Sequence, residues 1–332
     1  MAGTGIYLES FLAPLAEILA RADVTDIYIN RPGEAWTETL GGTTERHAVP
    51  ALDKTLLGRL SRQVAAIAYQ AISREHPLLS ASLPDGARIQ IIAPPATRGH
   101  MAIAIRKHIS SDLTLDDYVS TGAFDNTRSD DMLGGKKGDE TLAALLEAGD
   151  LAGLLRAAVR VRKNILVSGG TSTGKTTFLN ALMQEIPSNE RLILIEDTPE
   201  LQIHHSNAVG LLAARSALGE ARVSANDLVS ASLRMRPDRI ILGELRGEEA
   251  YAFLRAINTG HPGSMTTVHA DSAESAVEQV ALLVLQGSSR LNRDDVRHYI
   301  RQTVDVFVQL GRTAGRRDIT EVILNRHQPF VG

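Results

Sequence analysis

The sequence predicts an α/β protein in which a smaller α+β domain precedes a domain built on a mostly parallel sheet. The second half alternates short apolar segments with helical ones, which is typical of a parallel sheet covered on both faces. The first half combines amphipathic helices with short separate strands. Between them, residues 110–140 are rich in Asp, Ser, Thr and Gly, as linkers are. We therefore predict domains at residues 1–109 and 141–332, joined by a linker at 110–140.

The predicted N-terminal domain begins with an amphipathic helix. Its apolar residues from Leu8 to Leu19 fall on one helical face, and a second stripe of this kind runs from Leu56 to Ala71. Turn residues occur at 31–34 and 84–86, where Pro and Gly stand together. The segments that read as strands are 26–30, 87–92 and 101–106.

The predicted C-terminal domain carries the parallel sheet. Its apolar strands are expected at 165–168, 192–195, 240–243 and 265–269, with helical stretches between them. Segments 304–310 and 319–324 then read as an antiparallel hairpin at the edge of this sheet.

Composition narrows the class of protein. The formal charge of −4 and the 4% aromatic content argue against a nucleic-acid groove, which needs basic stripes and stacking platforms. The chain has no cysteine, which excludes disulfides and Cys-ligated zinc. No apolar run approaches the roughly 20 residues that cross a bilayer. Glu9 and Glu17 interrupt the apolar pattern of the N-terminus, so we predict no signal peptide and a cytoplasmic protein.

A glycine-rich loop follows the strand predicted at 165–168 and precedes a helix. It fits the phosphate-binding pattern G-x-x-x-x-G-K-[ST] at every fixed position, in the strand–loop–helix order that this pattern requires. Backbone N–H groups of such a loop, and the helix N-terminus behind it, bind phosphate. A chance glycine turn before a helix is the alternative, and the context disfavours it. The predicted ATP-binding residues of the loop are Gly169, Gly170, Thr171, Ser172, Thr173, Gly174, Lys175, Thr176 and Thr177.

Three further side chains follow predicted strands of the same sheet. Glu244 directly follows the strand at 240–243. A second nucleotide motif places an acid at this position, where it serves Mg²⁺ or the attacking water. The residue before it is Gly243 rather than the usual Asp. Glu196 and His269 end two other strands, and because ligands bind at the carboxyl edge of such sheets, either could face the γ-phosphate. A helix cap, an acidic turn and a hydrogen-bonded structural histidine are the respective alternatives.

Four motifs together resemble the secretion-superfamily traffic ATPases. They are GGTSTGKTT, LILIEDTPEL, LRMRPDRIILGELRGEEA and TGHPGSMTTVHAD, in that family's order. Within the superfamily the chain is most similar to the type IV secretion branch, because segments 30–34, 83–86 and 88–90 resemble the N-terminal domain of that branch. The type II branch usually carries a tetracysteine zinc module, which this chain cannot form. The resemblance implies a RecA-like P-loop ATPase domain.

The resemblance also implies a role for each candidate residue of that domain. Lys175 would hold the β- and γ-phosphates, and Thr176 would bind Mg²⁺ with help from Glu244, the latter through water. Glu196 resembles the acid of the family's aspartate motif and His269 the histidine of its histidine motif. Lys175, Glu196, Glu244 and His269 are thus the predicted catalytic residues, and which of the two glutamates orients the attacking water stays open.

Two arginines of the N-terminal domain resemble family residues that reach the nucleotide across the interdomain cleft. They are Arg88 and Arg106. Strand alternation places Arg106 on the same face as Ala102 and Ala104, which leaves room for a long cation to extend. The alternative is a solvated arginine on an exposed face.

As a whole, the resemblance implies a hexameric ATPase of a type IV secretion system. It would power substrate export or pilus assembly from the cytoplasmic face of the inner membrane. Its partners would be other copies of itself, ATP, and the inner-membrane and other ATPase components of the channel, with no sequence-specific nucleic acid. A pilus retraction or assembly motor and a RecA-like DNA translocase remain alternatives, and the cargo is open.

Overall fold

The computed structural model describes residues 3–40, 42–107, 139–214, 222–287, 291–313 and 316–325. We call residues 3–107 the N-terminal domain and residues 139–325 the C-terminal domain. Each contains one sheet, of six and seven strands respectively. The predicted α/β class, with a smaller α+β domain before a parallel-rich one, is confirmed. Most of the predicted linker, residues 110–138, lies outside the described residues.

The N-terminal sheet is antiparallel throughout, in the order β3-β2-β1-β6-β5-β4. The predicted strands are β1 (Val24–Ile29), β5 (Arg88–Ile92) and β6 (Ala102–Arg106). Three further strands were not predicted: β2 (Glu34–Thr39), β3 (Thr44–Ala48) and β4 (Leu78–Ser82). These three have no continuous apolar run, so pairing with their neighbours rather than local pattern makes them strands.

Helices cover one face of this sheet. The predicted opening helix is divided into α1 (Gly3–Leu12), a 3-10 turn (Ala13–Leu15) and α2 (Ala16–Ala20), because Pro14 has no N–H to continue the α-helical hydrogen bonds. Helix α3 spans Lys54–Ile67. Alternate isoleucines of β1, β5 and β6 form a core with these helices.

The C-terminal sheet has the order β13-β12-β7-β11-β10-β8-β9. All its neighbours are parallel except the β12–β13 hairpin at one edge, as predicted. The strands are β7 (Ile165–Gly169), β8 (Leu192–Glu196), β9 (Ala208–Leu212), β10 (Arg239–Leu242), β11 (Met265–Val268), β12 (Val306–Thr313) and β13 (Arg316–Leu324). Strand β9 was not predicted, because it is a short edge strand whose apolar run is interrupted by Gly210.

Helices lie between most of these strands. In chain order they are α4 (Asp139–Glu147), α5 (Leu151–Arg160), α6 (Lys175–Met183), α7 (Ala225–Ser232), α8 (Glu249–Asn258), α9 (Ala273–Gly287) and α10 (Arg293–Thr303). No helix among the described residues is both long and apolar enough to span a bilayer.

The other face of the N-terminal sheet packs on the C-terminal domain. Ala102 and Ala104 belong to the same buried cluster as Ile193, Ile195 and Leu211. The ring of Tyr28 lies 4.0 Å below the guanidinium of the buried Arg191 in this interface. The small side chains of Ala102 and Ala104, on the same strand face as Arg106, therefore leave room for the C-terminal domain to pack against the sheet. Arg106 itself lies at the edge of that contact.

Candidate nucleotide site

The phosphate loop joins β7 to α6. Every residue of β7 is buried, because β11 and β12 flank it as parallel neighbours. The chain then turns through Ser172 and Gly174, whose φ angles are +62° and +92°. The hydroxyl of Thr173 donates a 2.9 Å hydrogen bond to the carbonyl of Gly170 and closes the loop on itself. The loop thereby ends at the N-terminus of α6, where backbone N–H groups are free for an anion.

Lys175 begins α6 and turns its ammonium back along the loop. Nζ donates to the carbonyl oxygens of Gly169 and Gly170, at 2.9 and 3.1 Å. Burial lowers the pKa of Lys175; the charge of Glu244 opposes this shift and that of Arg246 adds to it. Two neutral carbonyls compensate the charge of the Lys175 ammonium only in part. The ammonium would therefore gain from replacing these carbonyls with phosphate oxygens.

Glu244 and His269 meet beside Lys175. They follow β10 and β11, and Nε2 of His269 lies 2.8 Å from Oε1 of Glu244. The other ring nitrogen, Nδ1, lies 3.3 Å from Nζ of Lys175. An ammonium can only donate, so Nδ1 suits the role of acceptor from Lys175, while Nε2 is in close contact with the Glu244 carboxylate. The histidine thus links the phosphate-loop cation to the acid.

Arg246 extends this chain of charges and was not among the predicted residues. Its guanidinium pairs with Glu244 and lies 2.5 Å from the carboxylate of Asp197. It stands two residues after Glu244, in the loop that Glu249 caps by accepting from the backbone N–H groups of Arg246 and Gly247. The signal in the sequence was its place in the same motif as Glu244.

Glu196 is held from two sides. Its Oε2 accepts hydrogen bonds from the backbone N–H groups of Glu200 and Leu201, at 2.7 and 2.9 Å. Its Oε1 pairs with Nη2 of Arg98, a residue of the N-terminal domain. A Cβ at Gly243 would come within 3.2 Å of the Glu196 Cβ, so the space of the missing aspartate is filled by Glu196. Arg98 lies far from Glu196 in the sequence, and no local pattern marks it.

One open cavity of about 970 Å³ brings most of the predicted residues together. Its wall includes Lys175, Thr176, Glu196, Glu244 and His269. Other loop residues on the wall are Thr171, Ser172, Gly174 and Thr177.

Arg88 and Arg106 lie elsewhere. They are paired across β5 and β6 and line a second cavity of about 670 Å³, together with Arg234. Nε of Arg106 donates to Asp26 Oδ1 at 3.0 Å. Their predicted contact with the nucleotide is therefore not made within this chain as it stands, and it stays a prediction.

The cavity lined by Lys175 and Thr176, which we call the phosphate-loop cavity, suits an Mg²⁺ ion that arrives bound to a nucleotide. Among the described residues, no cluster of three or more His, Asp or Glu side chains could hold a metal by itself. Mg²⁺ usually takes one or two protein oxygens and completes its shell with phosphates and water. The Thr176 hydroxyl and the Glu244 carboxylate, both on the cavity wall, provide donors of that kind.

Comparisons with known proteins identify the family of this chain. A family model described as "Type II/IV secretion system protein" matches residues 140–324. The "Type IV secretion system protein VirB11" of Bartonella quintana (strain Toulouse) is 39% identical over 335 residues, covering 96% of this chain and 92% of the relative. Its namesake in Brucella suis biovar 1 (strain 1330) is 42% identical over 307 residues, covering 90% and 84%.

A solved structure is also similar over nearly the whole chain. The "VirB11 ATPase from the Brucella Suis type IV secretion system in complex with sulphate" has a TM-score of 0.89 and 40% identity. The match covers 96% of this chain and 97% of that one. Both domains and their arrangement are therefore shared with that protein.

Proposed function

Because this chain belongs to the VirB11 family of type II/IV secretion system ATPases, we propose that it hydrolyses Mg·ATP in the phosphate-loop cavity to power a type IV secretion system. The observation that carries the proposal is the convergence of Lys175, Glu244, His269 and Glu196 on one cavity at the carboxyl edge of the C-terminal sheet. Phosphoryl transfer needs positioned positive charge and an acid that orients water. This cavity offers both.

The roles follow from the contacts. Lys175 exchanges the carbonyls of its own loop for β- and γ-phosphate oxygens, which are stronger acceptors. Thr176 and, through water, Glu244 would hold Mg²⁺, which supplies positive charge to the same phosphates when bound. His269 holds Glu244 in place and shifts when Lys175 moves toward phosphate, because it touches both. His269 is thereby suited to sense the γ-phosphate.

The two glutamates are restrained to different degrees. Among the residues that the structure describes, the contacts of the Glu244 carboxylate are with side chains, those of His269 and Arg246. Glu196 has one oxygen on two backbone N–H groups and the other on Arg98. We assign the orientation of the attacking water to Glu244 and a supporting electrostatic role to Glu196.

A purified-protein assay of Mg·ATP hydrolysis tests the site. We expect Lys175→Ala to abolish turnover, because the phosphates lose the cation at the end of the loop. Lys54→Ala is the matched control, since Lys54 is exposed at the start of α3 in the other domain. Turnover of Lys175→Ala within a few-fold of wild type would refute the assignment.

We further propose that six copies close into a ring. Arg88 and Arg106 lie around a cavity separate from the phosphate loop of their own chain, so a nucleotide contact requires a domain movement or a neighbouring subunit. A head-to-tail contact between subunits generates a closed ring when its rotation permits. Light scattering with Mg·ATP at micromolar protein tests this: the mass of six chains is expected, and monomers throughout would refute it.

In this proposal, the hexamer acts at the cytoplasmic face of the inner membrane with the other components of a secretion channel. Hydrolysis moves the N-terminal domain and so drives substrate export or pilus assembly. Gene disruption is the test, with export and surface motility measured in parallel. Loss of export with intact motility is expected; loss of motility alone would identify a pilus motor instead.

A further inference from the structure

Arg98 is a residue of the N-terminal domain whose backbone and side chain form contacts with the C-terminal domain. It follows β5, in the segment that leads to β6. In this segment Thr97 forms an antiparallel bridge with Leu211 of β9. The backbone N–H of Arg98 donates to the carbonyl of Gly210, and that of Leu212 donates to Ala96, each at 3.0 Å. The N-terminal domain thus adds a short strand to the outer edge of the C-terminal sheet.

This added strand aims the Arg98 side chain across β9 toward the nucleotide cavity. Nη1 donates to the carbonyl of Leu201 at 2.8 Å, and Nη2 pairs with Oε1 of Glu196. The path depends on the absence of a side chain at Gly210, where a Cβ would lie 2.6 Å from the Cδ of Arg98. The φ angle of Gly210 is not in the left-handed region, so the glycine serves the passage of Arg98 rather than a turn.

The contact matters because the carboxylate of Glu196 is buried. Its side chain is 4% exposed, although it lies on the wall of the cavity. A buried carboxylate needs a compensating charge, and Arg98 is the cation that contacts it. Burial in turn lowers the pKa of Arg98, whose side chain is 22% exposed. The loop that supplies the two backbone donors is itself tied to α6, where Asn180 contacts Glu200 and Gln202.

We propose that Arg98 is a positioning residue: it fixes Glu196 beside the nucleotide and makes turnover depend on the placement of the N-terminal domain. This inference rests on the proposed role of the phosphate-loop cavity in ATP hydrolysis. Arg98 does not line that cavity, so it acts through Glu196 and not on the phosphates. When the N-terminal domain moves, the strand pairing to β9 and the ion pair to Glu196 move with it.

The test is a double-mutant cycle on turnover with Arg98→Met and Glu196→Gln. We expect Arg98→Met to lower kcat on the order of a hundredfold, as misplacing a catalytic group by about 1 Å does, and to leave ATP and ADP affinity unchanged. The double variant should lose no more than the worse single variant, since both changes break one unit. Unchanged or increased turnover in Arg98→Met, or additive losses, would overturn the proposal.

A second pair of variants keeps the test valid if Arg98→Met unfolds. Gly210→Ala retains both charges but places a methyl group in the path of the Arg98 side chain, and we expect the same selective loss of kcat. Gly58→Ala is its control, because a Cβ there meets open space on α3. Arg98→Lys should restore part of the turnover, since it keeps the charge while losing the fork that reaches both Glu196 and Leu201. Wild-type kcat in Gly210→Ala would overturn the proposal.

Failure of this proposal is distinguishable from failure of the ATPase site. If Lys175→Ala is inactive while Arg98→Met and Gly210→Ala are as active as wild type, only the role of Arg98 is wrong. If Lys175→Ala is active, hydrolysis does not occur in this cavity.

Discussion

Replacing Arg106 by alanine tests whether the N-terminal domain acts as a nucleotide-dependent lid. In the structure, Nε of Arg106 bonds to Asp26 and about half of its side chain is exposed. A contact with phosphate therefore requires the arginine to leave Asp26. Closure of the domain over a bound γ-phosphate would bring this about, and hydrolysis would reverse it.

The magnitude follows from the exchange of partners. A hydrogen bond from a cation to phosphate contributes about 1.5–3 kcal/mol. The ion pair that is given up joins the half-exposed Arg106 to the buried Asp26, so it contributes about 1 kcal/mol, the upper end of the range for exposed pairs. Asp26 keeps a second cation nearby, Arg236 at 3.8 Å, so its loss of Arg106 costs little. The net gain is about 0.5–2 kcal/mol, and Arg106→Ala should weaken ATP binding roughly 2- to 30-fold.

Calorimetry on a Glu244→Gln background, which should not turn over, measures this effect for ATP and ADP separately. The protein concentration is set where light scattering shows assembly, because a neighbouring subunit is the other route by which Arg106 reaches a nucleotide. Arg46→Ala is the control: its partner Glu34 keeps Arg31. ADP should be affected less than ATP. Equal ATP affinity in variant and parent would reduce Arg106 to a solvated arginine, and equal losses for both nucleotides would remove the γ-phosphate trigger.

Two further outcomes are expected. Glu244→Gln should keep nucleotide affinity and lose turnover, since the amide preserves shape but not charge; a variant that cannot bind nucleotide would make Glu244 structural. Arg239→Met should lower the free energy of unfolding in denaturant titrations by about 3 kcal/mol, because the buried Glu190 loses its buried cation and keeps the partly exposed Arg162. Burial raises the pKa of Glu190, but the hydrogen bonds and charges of Arg239 and Arg162 together outweigh burial and hold that pKa low, so this stability is present at neutral pH and is lost as pH falls through the folded-state pKa. The acid loss should shrink in Arg239→Met/Glu190→Gln, and an undiminished loss would assign it to other groups.

The phosphate loop shows how far local pattern reaches. A buried strand, a glycine loop and a helix stand next to one another in the chain, so their order alone predicted the site that the structure contains. The strands that lead to Glu196, Glu244 and His269 were predicted from local apolar runs in the same way. Their side chains meet because parallel strands place their carboxyl ends at one edge of the sheet. By contrast, β2 to β4 and β9 have weak or interrupted patterns and depend on their neighbours.

The fold class, the nucleotide chemistry and the family could be predicted from the residues, because these properties reside in short segments whose residues act on their immediate neighbours. Which charges meet could be seen only in the folded chain. It placed Arg98 on Glu196 and Arg106 on Asp26, and it filled the space beside Gly243 with Glu196. Such contacts join residues on different elements, and a long flexible side chain has many partners within reach of its backbone position. The packing of the two domains selects one of them.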